Sequence, residues 1–239
     1  MKRIYILLSI AVIFSIQVVA QTHKVVIETD SGRIVLALYD NTPLHRDNMV
    51  KLVEEKFFDS LLFHRVIPSF VIQGGDPQSK NALPGMMLGN GETGYRVPAE
   101  INDSNFHQRG ALGMARDNNP EKASSGCQFY IVTGRTYTDQ DLDMLSQRTG
   151  RNFTEAQREI YKTQGGTPSL DGNYTVYGIV LEGMEVVDKI SAMPRNQYDR
   201  PNTDIRMTRV YLLEEGKNKK KGIFKFKRKK DKVKVKIED

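Results

Sequence analysis

The sequence predicts a mainly β fold, either an antiparallel barrel or a sandwich, with a small number of helices. Short segments rich in β-branched residues recur along the chain, and Gly, Pro, Asn and Asp separate them. These segments do not alternate regularly with helical patterns, as a parallel sheet of βαβ units would require. The composition, with 39% hydrophobic and 27% charged residues, is that of a globular protein.

A hairpin begins the predicted sheet, because turn-forming residues at 29–32 separate two strand-like segments. Thr42 followed by Pro43 predicts the start of a helix with Thr42 as its N-cap. A short helix is expected at residues 186–190, and residues 77–98 have the composition of a long loop. The predicted strands are 22–28, 33–39, 61–66, 70–73, 111–115, 128–133, 175–181 and 205–213.

Residues 135–168 are predicted to form a helical insertion between two strands. Within them, Thr138 precedes Asp141 by three residues, and Thr154 precedes Gln157 by three. Both pairs have the spacing of a capping box, which marks the start of a helix. The sequence assigns no role to this insertion.

Three stretches of the chain carry the functional signal. They read FHRVIPSFVIQGGD at 63–76, GALGMAR at 110–116 followed by SGCQFYI at 125–131, and LDGNYTVYG at 170–178. At these residues, and in this order, the sequence resembles the cyclophilin family of peptidyl-prolyl cis–trans isomerases. The resemblance extends from about residue 23 to residue 213 and is interrupted by the insertion.

The resemblance implies a closed eight-stranded antiparallel β-barrel capped by two helices, with the insertion at about 135–168 added to it. It also implies that the chain accelerates rotation about X–Pro bonds in a groove on the outer surface of the barrel. By the same resemblance, the catalytic residues are Arg65, Phe70 and Gln73. The substrate-binding residues are Val71, Ala115, Arg116, Gln128, Tyr130, Leu170 and Tyr174.

Arginine suits the chemistry of X–Pro rotation. Rotation breaks the resonance of the amide, whose barrier is about 18–20 kcal/mol. In the twisted state the proline nitrogen regains a lone pair, so a fixed donor such as Arg65 can bind it only there. Neither a nucleophile nor a cofactor is required, and the four histidines lack the spacing of metal ligands. We therefore expect no cofactor and no metal.

Several neighbouring residues have a structural interpretation. Phe129 is expected in the core, because adjacent strand residues face opposite sides and Tyr130 occupies the pocket face. The Tyr130 hydroxyl, where phenylalanine is usual in the family, needs a partner when buried. His64 is expected to be a hydrogen-bonded structural residue. Cys127 is expected to be a small buried side chain, with a redox-sensitive thiol as the alternative.

The two ends of the chain differ from its body. Residues 1–20 have the pattern of a signal peptide: two basic residues, an apolar run at 4–19 and Ala20 before the cleavage point. An uncleaved anchor is the alternative, although the run is short for a membrane span. We expect an exported protein, periplasmic or secreted, with an isomerase domain at 21–216 and a basic, disordered tail at 217–239.

The partners expected from the sequence are proline-containing segments of exported or unfolded proteins. Of the 35 Lys/Arg and 29 Asp/Glu, twelve and three lie in residues 217–239, so residues 1–216 carry a net charge of −3. A nucleic-acid partner is therefore not expected, and the family precedent is a monomer. The alternative function is a non-catalytic module, or chaperone, that binds proline-containing segments.

The basic tail is predicted to bind an anionic surface. Deleting residues 217–239 removes a net charge of +9, so retention on anionic lipid vesicles should fall at low salt. Turnover of a short X–Pro peptide should not change. Equal retention of the full and shortened proteins in a vesicle-sedimentation assay would contradict this prediction.

Overall fold

The computed structural model describes residues 23–213, which form one eight-stranded antiparallel sheet, a two-stranded sheet and four α-helices. In the large sheet the strand order is β10-β1-β2-β9-β6-β8-β4-β3, and β5 pairs with β7. The strands are β1 His23–Thr29, β2 Gly32–Leu38, β3 Phe63–Ile67, β4 Val71–Gly74, β5 Arg96–Val97, β6 Ala111–Met114, β7 Ser124–Ser125, β8 Phe129–Val132, β9 Val176–Glu182 and β10 Met207–Leu212; the helices are α1 Pro43–Glu54, α2 Asp139–Thr149, α3 Glu155–Thr163 and α4 Met184–Ser191.

The expectation of a closed barrel is wrong, because the large sheet is curled but open between β3 and β10. Only a short stretch of chain next to these edges comes within hydrogen-bonding distance. The Ser60 amide donates to the Met207 carbonyl at 2.7 Å, and the Phe63 amide donates to the Ile205 carbonyl at 2.9 Å. Leu62 and Arg206 form an isolated bridge between these bonds. The sheet is therefore a half-barrel whose edges are joined at one corner.

The predicted strands are present, each within two residues of its expected bounds, and the first hairpin pairs Thr29 with Gly32 across its turn. The expected long loop at 77–98 contains two elements that the sequence did not indicate. Pro77–Asn81 forms a 3-10 helix, and β5 pairs with β7. A second 3-10 helix spans Pro168–Leu170.

Each face of the curled sheet carries its own apolar cluster. Along β8, Phe129 and Ile131 point into the main core, whereas Tyr130 and Val132 belong to a second cluster on the outer face. Helices α1 and α4 cover the main core with apolar residues such as Leu52. The expectation that Phe129 lies in the core is confirmed. The outer cluster forms part of the candidate site.

Thr42 occupies the N-cap position of α1 and Pro43 begins the helix, as predicted, but the Thr42 side chain does not cap it. Its buried hydroxyl donates to the Tyr39 carbonyl at 3.3 Å and makes no capping bond. The free amides of Leu44 and His45 instead donate to the Glu100 carboxylate at 3.0 and 2.9 Å. An acceptor distant in sequence thus replaces the local one, and its negative charge also suits a helix N-terminus.

The insertion contains the two predicted helices, α2 and α3, and both capping boxes are formed. It leaves and rejoins the sheet at a narrow neck, where the backbones of Arg135 and Gly166 exchange two hydrogen bonds of 3.1 and 2.9 Å. The side-chain amide of Gln157, in the first turn of α3, donates to the Asp103 carbonyl at 2.9 Å. This bond connects α3 to the loop before β6. The insertion is therefore packed against the domain.

The expected signal peptide at 1–20 and basic tail at 217–239 lie outside the described residues. Between residues 23 and 213, no helix is long and apolar enough to cross a membrane.

Removing the charge of Glu100 should destabilise the fold. The Glu100 carboxylate accepts two amides of α1 and also lies 2.7 Å from Nδ1 of His45. We expect Glu100→Gln to lower the free energy of unfolding by about 1–3 kcal/mol, because hydrogen bonds to a charged acceptor are the stronger ones. Chemical denaturation measures this loss. The control is Glu54→Gln, an exposed change at the other end of α1, and an equal loss there would contradict the prediction.

Candidate active site

A β-bulge at His64 determines which way Arg65 points. Phe63 and Val66 both lie in the main core, although residues three apart on a regular strand face opposite sides. The register between β3 and β4 shifts between Phe63 and Arg65, so that Arg65 pairs with Gln73. The extra residue turns the Arg65 side chain to the outer face, where Gln73 and Tyr130 also lie.

A chain of hydrogen bonds holds the Arg65 guanidinium over this face. Arg65 Nη1 donates to Gln73 Oε1 at 3.3 Å, and Gln73 Nε2 donates to Gln128 Oε1 at 3.0 Å. Gln128 in turn donates to the Gly91 carbonyl at 2.8 Å. On its other side, Arg65 Nε lies 3.8 Å from the Asp199 carboxylate. The guanidinium is therefore oriented while 41% of the side chain stays exposed.

Nine of the ten predicted site residues line one cavity of about 290 Å³. The tenth, Gln128, borders an adjoining hollow with Gln73, Ala115 and Arg116. The structure therefore brings the predicted residues together around one site, and the role of each residue remains a prediction. The nine cavity residues are Arg65, Phe70, Val71, Gln73, Ala115, Arg116, Tyr130, Leu170 and Tyr174.

The walls of the cavity are stiffened by ring contacts. Tyr130 and Tyr174 meet edge to face with ring centroids 6.0 Å apart. The Arg116 guanidinium lies over the Tyr174 ring at 4.9 Å, and its Nε donates to the Asn173 carbonyl at 2.8 Å. Phe70 and Leu170 pack against the same outer cluster. The result is a concave apolar pocket with positively charged groups at its rim.

The Tyr130 hydroxyl has the partner that a buried hydroxyl needs, since it lies 2.8 Å from Nε2 of buried His107. Burial raises the pKa of Tyr130 well above its ordinary value, so the hydroxyl keeps its proton.

His64 is buried, but the hydrogen bonds expected of it are not formed with standard geometry. Its ring is 3% exposed, yet neither nitrogen has a hydrogen-bond partner among the described residues. The bulge directs the ring toward the loop at Gly89, which has no side chain that could bond to it. Burial, partly opposed by the charge of Asp76, lowers the His64 pKa to about 4.

Cys127 is a fully buried core residue, as expected. Burial raises the pKa of its thiol to about 12. Because the thiolate is the reactive form, this environment does not favour the redox alternative.

One end of the cavity was not anticipated from the sequence. It is formed by the loop before β5 and the segment before β10, which approach each other across the mouth of the site. Arg200 joins them, since its guanidinium donates to the carbonyls of Leu83 and Met86 at 3.1 and 2.6 Å. The apolar run Met-Met-Leu inside a loop rich in Gly and Asn was the available signal. The two segments line the cavity with Met86, Met87, Leu88, Gly89, Asn196, Tyr198 and Arg200, and His64 of β3 also lines it.

Within residues 23–213, no cluster of His, Cys, Asp or Glu side chains could hold a metal ion.

Comparison with known proteins gives a consistent result. The family described as "Cyclophilin type peptidyl-prolyl cis-trans isomerase/CLD" matches residues 24–212. A putative peptidyl-prolyl cis-trans isomerase of Staphylococcus aureus is 32% identical over 183 residues, which cover 76% of this chain and 87% of that protein. A putative bifunctional phosphatase/peptidyl-prolyl cis-trans isomerase of Streptococcus pyogenes is 33% identical over 196 residues, which cover 80% of this chain but only 39% of that protein.

Solved structures share the fold. A cyclophilin-type peptidyl-prolyl cis-trans isomerase of Cryptosporidium parvum superposes with a TM-score of 0.59, at 21% identity, over 81% of this chain and 99% of that one. A second crystal structure of that protein, in the presence of the dipeptide Ala-Pro, gives a TM-score of 0.57 over 80% and 98% of the two chains.

The buried His64 ring should make stability depend on pH. Its pKa is about 4 in the folded protein and about 6.5 in the unfolded chain. Stability is therefore unaffected by this group above pH 6.5. As the pH falls toward 4, only the unfolded chain takes up the proton, and about 3 kcal/mol is lost.

The measurement is the unfolding free energy of the unaltered protein and of His64→Gln from pH 7.5 to pH 3.5. The difference between the two proteins should shift in favour of the variant as the pH falls. Parallel curves would contradict the prediction.

Proposed function

Because the chain belongs to the family of cyclophilin-type peptidyl-prolyl cis–trans isomerases, we propose that it catalyses rotation about X–Pro bonds in exported proteins. The observation that carries the proposal is that the Arg65 guanidinium and an apolar pocket open onto the same cavity. The pocket holds the proline ring, and the guanidinium meets the bond that must rotate.

The proposed role of Arg65 is to donate to the proline nitrogen in the twisted transition state. The planar amide nitrogen has no available lone pair. The hydrogen bond from Arg65 therefore strengthens only as the X–Pro amide bond rotates. Gln73 and Asp199 orient the guanidinium beforehand, at 3.3 and 3.8 Å. Orientation before the reaction spares the cost of reorganising the donor when the charge develops.

The remaining site residues contact the substrate on both sides of the X–Pro bond. Phe70, Tyr130 and Leu170 surround the proline ring and keep it still while the preceding carbonyl swings. Ala115, Arg116 and Gln128 border the peptide backbone in the adjoining hollow. Proline-containing segments are the proposed ligands, which the relative studied in the presence of Ala-Pro supports.

Export is part of the proposal and is supported by residues 1–20, with their basic start, apolar run and small residue at Ala20. In an exported setting the protein would act during folding, since uncatalysed isomerisation takes tens to hundreds of seconds. The basic tail would hold the enzyme near an anionic surface, where clients emerge.

Replacing Arg65 tests the proposal. We expect mature protein, residues 21–239, to accelerate isomerisation of a short X–Pro peptide, and Arg65→Ala to lose roughly 10²–10³-fold in kcat/KM, as when one transition-state donor is removed. Exchange spectroscopy by NMR measures both rates. Arg65→Lys should recover only part of the loss, because lysine keeps the charge without the planar fork.

Arg33→Ala is the matched control, since Arg33 is similarly exposed (46%) and lies on β2 beside Glu182. It should leave the rate within twofold. A folded protein that binds the peptide without accelerating its cis–trans exchange would overturn the proposal of an enzyme. That result would favour the non-catalytic binding module.

A further inference from the structure

A buried chain of hydrogen bonds connects the cavity to the helical insertion. The Tyr130 hydroxyl lies 2.8 Å from His107 Nε2, and His107 Nδ1 lies 2.7 Å from Asp171 Oδ1. Asp171 Oδ2 lies 2.6 Å from the hydroxyl of Tyr161 on α3. All four residues are less than a tenth exposed. We call this chain the Tyr130–Tyr161 relay.

The chemistry of the four groups assigns a direction to every bond. The Asp171 carboxylate only accepts, and it also accepts the His107 backbone amide at 2.8 Å. A neutral His107 ring therefore carries its proton on Nδ1, which leaves Nε2 as an acceptor for the Tyr130 hydroxyl. Burial raises the pKa of Tyr161 as well as that of Tyr130, so both hydroxyls keep the protons that they donate. The tautomer of His107 is thus determined by a carboxylate that Tyr161 in turn supports.

The strand next to Tyr130 is shaped to admit the relay. Tyr130 lies opposite Gly113 in the β6–β8 ladder, and a Cβ at Gly113 would come within 2.3 Å of the Tyr130 ring. The absence of a side chain lets the ring lie across β6, where it stacks on His107 with centroids 6.0 Å apart and planes 15° apart. The ring position and the hydroxyl bond therefore depend on each other.

The insertion fixes the far end of the relay. Tyr161 is fully buried in a cluster that includes Leu142 and Phe153, and the rings of Phe106, Tyr137 and Phe153 meet it edge to face at 5.5, 6.2 and 5.9 Å. The first turn of α3 is anchored to the loop before β6 through the side chain of Gln157. The Tyr161 hydroxyl is consequently held in place by the packing of the whole insertion.

We propose that Tyr161, Asp171 and His107 are positioning residues for the proline pocket, and that the insertion at 135–168 is a working part of the active site. Through the relay they hold the Tyr130 ring in the orientation that closes the pocket around proline. This inference rests on the proposed function, because it assigns a task within the same site. It also gives the insertion a role that its sequence did not indicate.

The expected consequence of breaking the relay appears in binding more than in the rotation step. Tyr130 contacts the proline ring in the ground state and in the twisted state alike, so its misplacement weakens both equally. Tyr161→Phe removes only the hydroxyl. We expect kcat/KM for a peptide with one Ala-Pro bond to fall roughly three- to tenfold. The fall should come from a higher KM, and kcat should stay within twofold of its value in the unaltered protein.

A double-mutant cycle separates positioning from a general loss of structure. In Tyr130→Phe the relay has lost its end in the pocket, so adding Tyr161→Phe should change KM by less than twofold. The matched control is Tyr137→Phe, which packs on the same Tyr161 ring outside the relay and should leave KM within twofold. An equal fold-loss from Tyr161→Phe in both backgrounds would overturn the inference.

Two further measurements keep the outcome unambiguous. Nitrogen-15 spectra of the four histidines should show His107 protonated at Nδ1 in the unaltered protein, and the opposite tautomer would overturn the relay. If Tyr161→Phe does not fold, Asp171→Asn is used instead, because it interrupts the Tyr130–Tyr161 relay at its centre. It is combined with Tyr130→Phe in the same double-mutant cycle.

The dissociation constant of the same peptide, measured by NMR titration, distinguishes the two proposals. If the unaltered protein binds the peptide without isomerising it, the enzyme proposal fails, and the cycle in dissociation constants still decides the relay. If it isomerises the peptide and the cycle is additive, only the relay fails. If it neither binds nor isomerises the peptide, both fail.

Discussion

The active-site face depends on one extra residue in a strand. A regular β3 could not place both Phe63 and Val66 in the main core, since side chains three apart point to opposite faces. The bulge at His64 satisfies both core residues and turns Arg65 outward between them. Burying two large apolar side chains is worth several kcal/mol, so the core itself holds the charged group on the outer face.

The consequence of the bulge extends along the neighbouring strands. Once Arg65 lies outside, Gln73 and Gln128 connect it to the backbone of the loop at Gly91 through bonds of 3.3, 3.0 and 2.8 Å. An amide side chain both donates and accepts hydrogen bonds. Two glutamines in series can therefore connect the loop backbone to the guanidinium and fix the orientation of the guanidinium. The same bulge buries the His64 ring, and this burial lowers the pKa of the ring.

The opposite side of the pocket is supported by a different polar chain. Tyr130 reaches His107, Asp171 and Tyr161 in succession, all of them buried. In a setting of low polarity, such bonds are strong and an unsatisfied member is costly, so the chain holds as a unit. The pocket thus stands between a network anchored in the sheet and its loop and one anchored in the insertion. Rigid walls are what a site needs when it acts by holding a ring still.

Much of this protein followed from local pattern. Segments rich in β-branched residues placed the strands, and period-two alternation assigned Phe129 to the core and Tyr130 to the outer face. Threonine spacing located both helices of the insertion. The motifs around Arg65 and Leu170 named nine of the residues that line the cavity. These features depend on neighbours in the chain, which a sequence displays directly.

Other features required the folded chain. Glu100 replaced Thr42 as the cap of α1, the half-barrel remained open, and His64 lacked the partner expected of it. Each depends on which distant segments meet and at what angle, and no spacing along the chain encodes that. The sequence by itself determined the strands, which follow from local residue pattern, and the family, which follows from motifs that resemble those of a known family. Only the tertiary structure decided how Arg65 is aimed and what the insertion touches, because contacts between segments far apart in the chain set both.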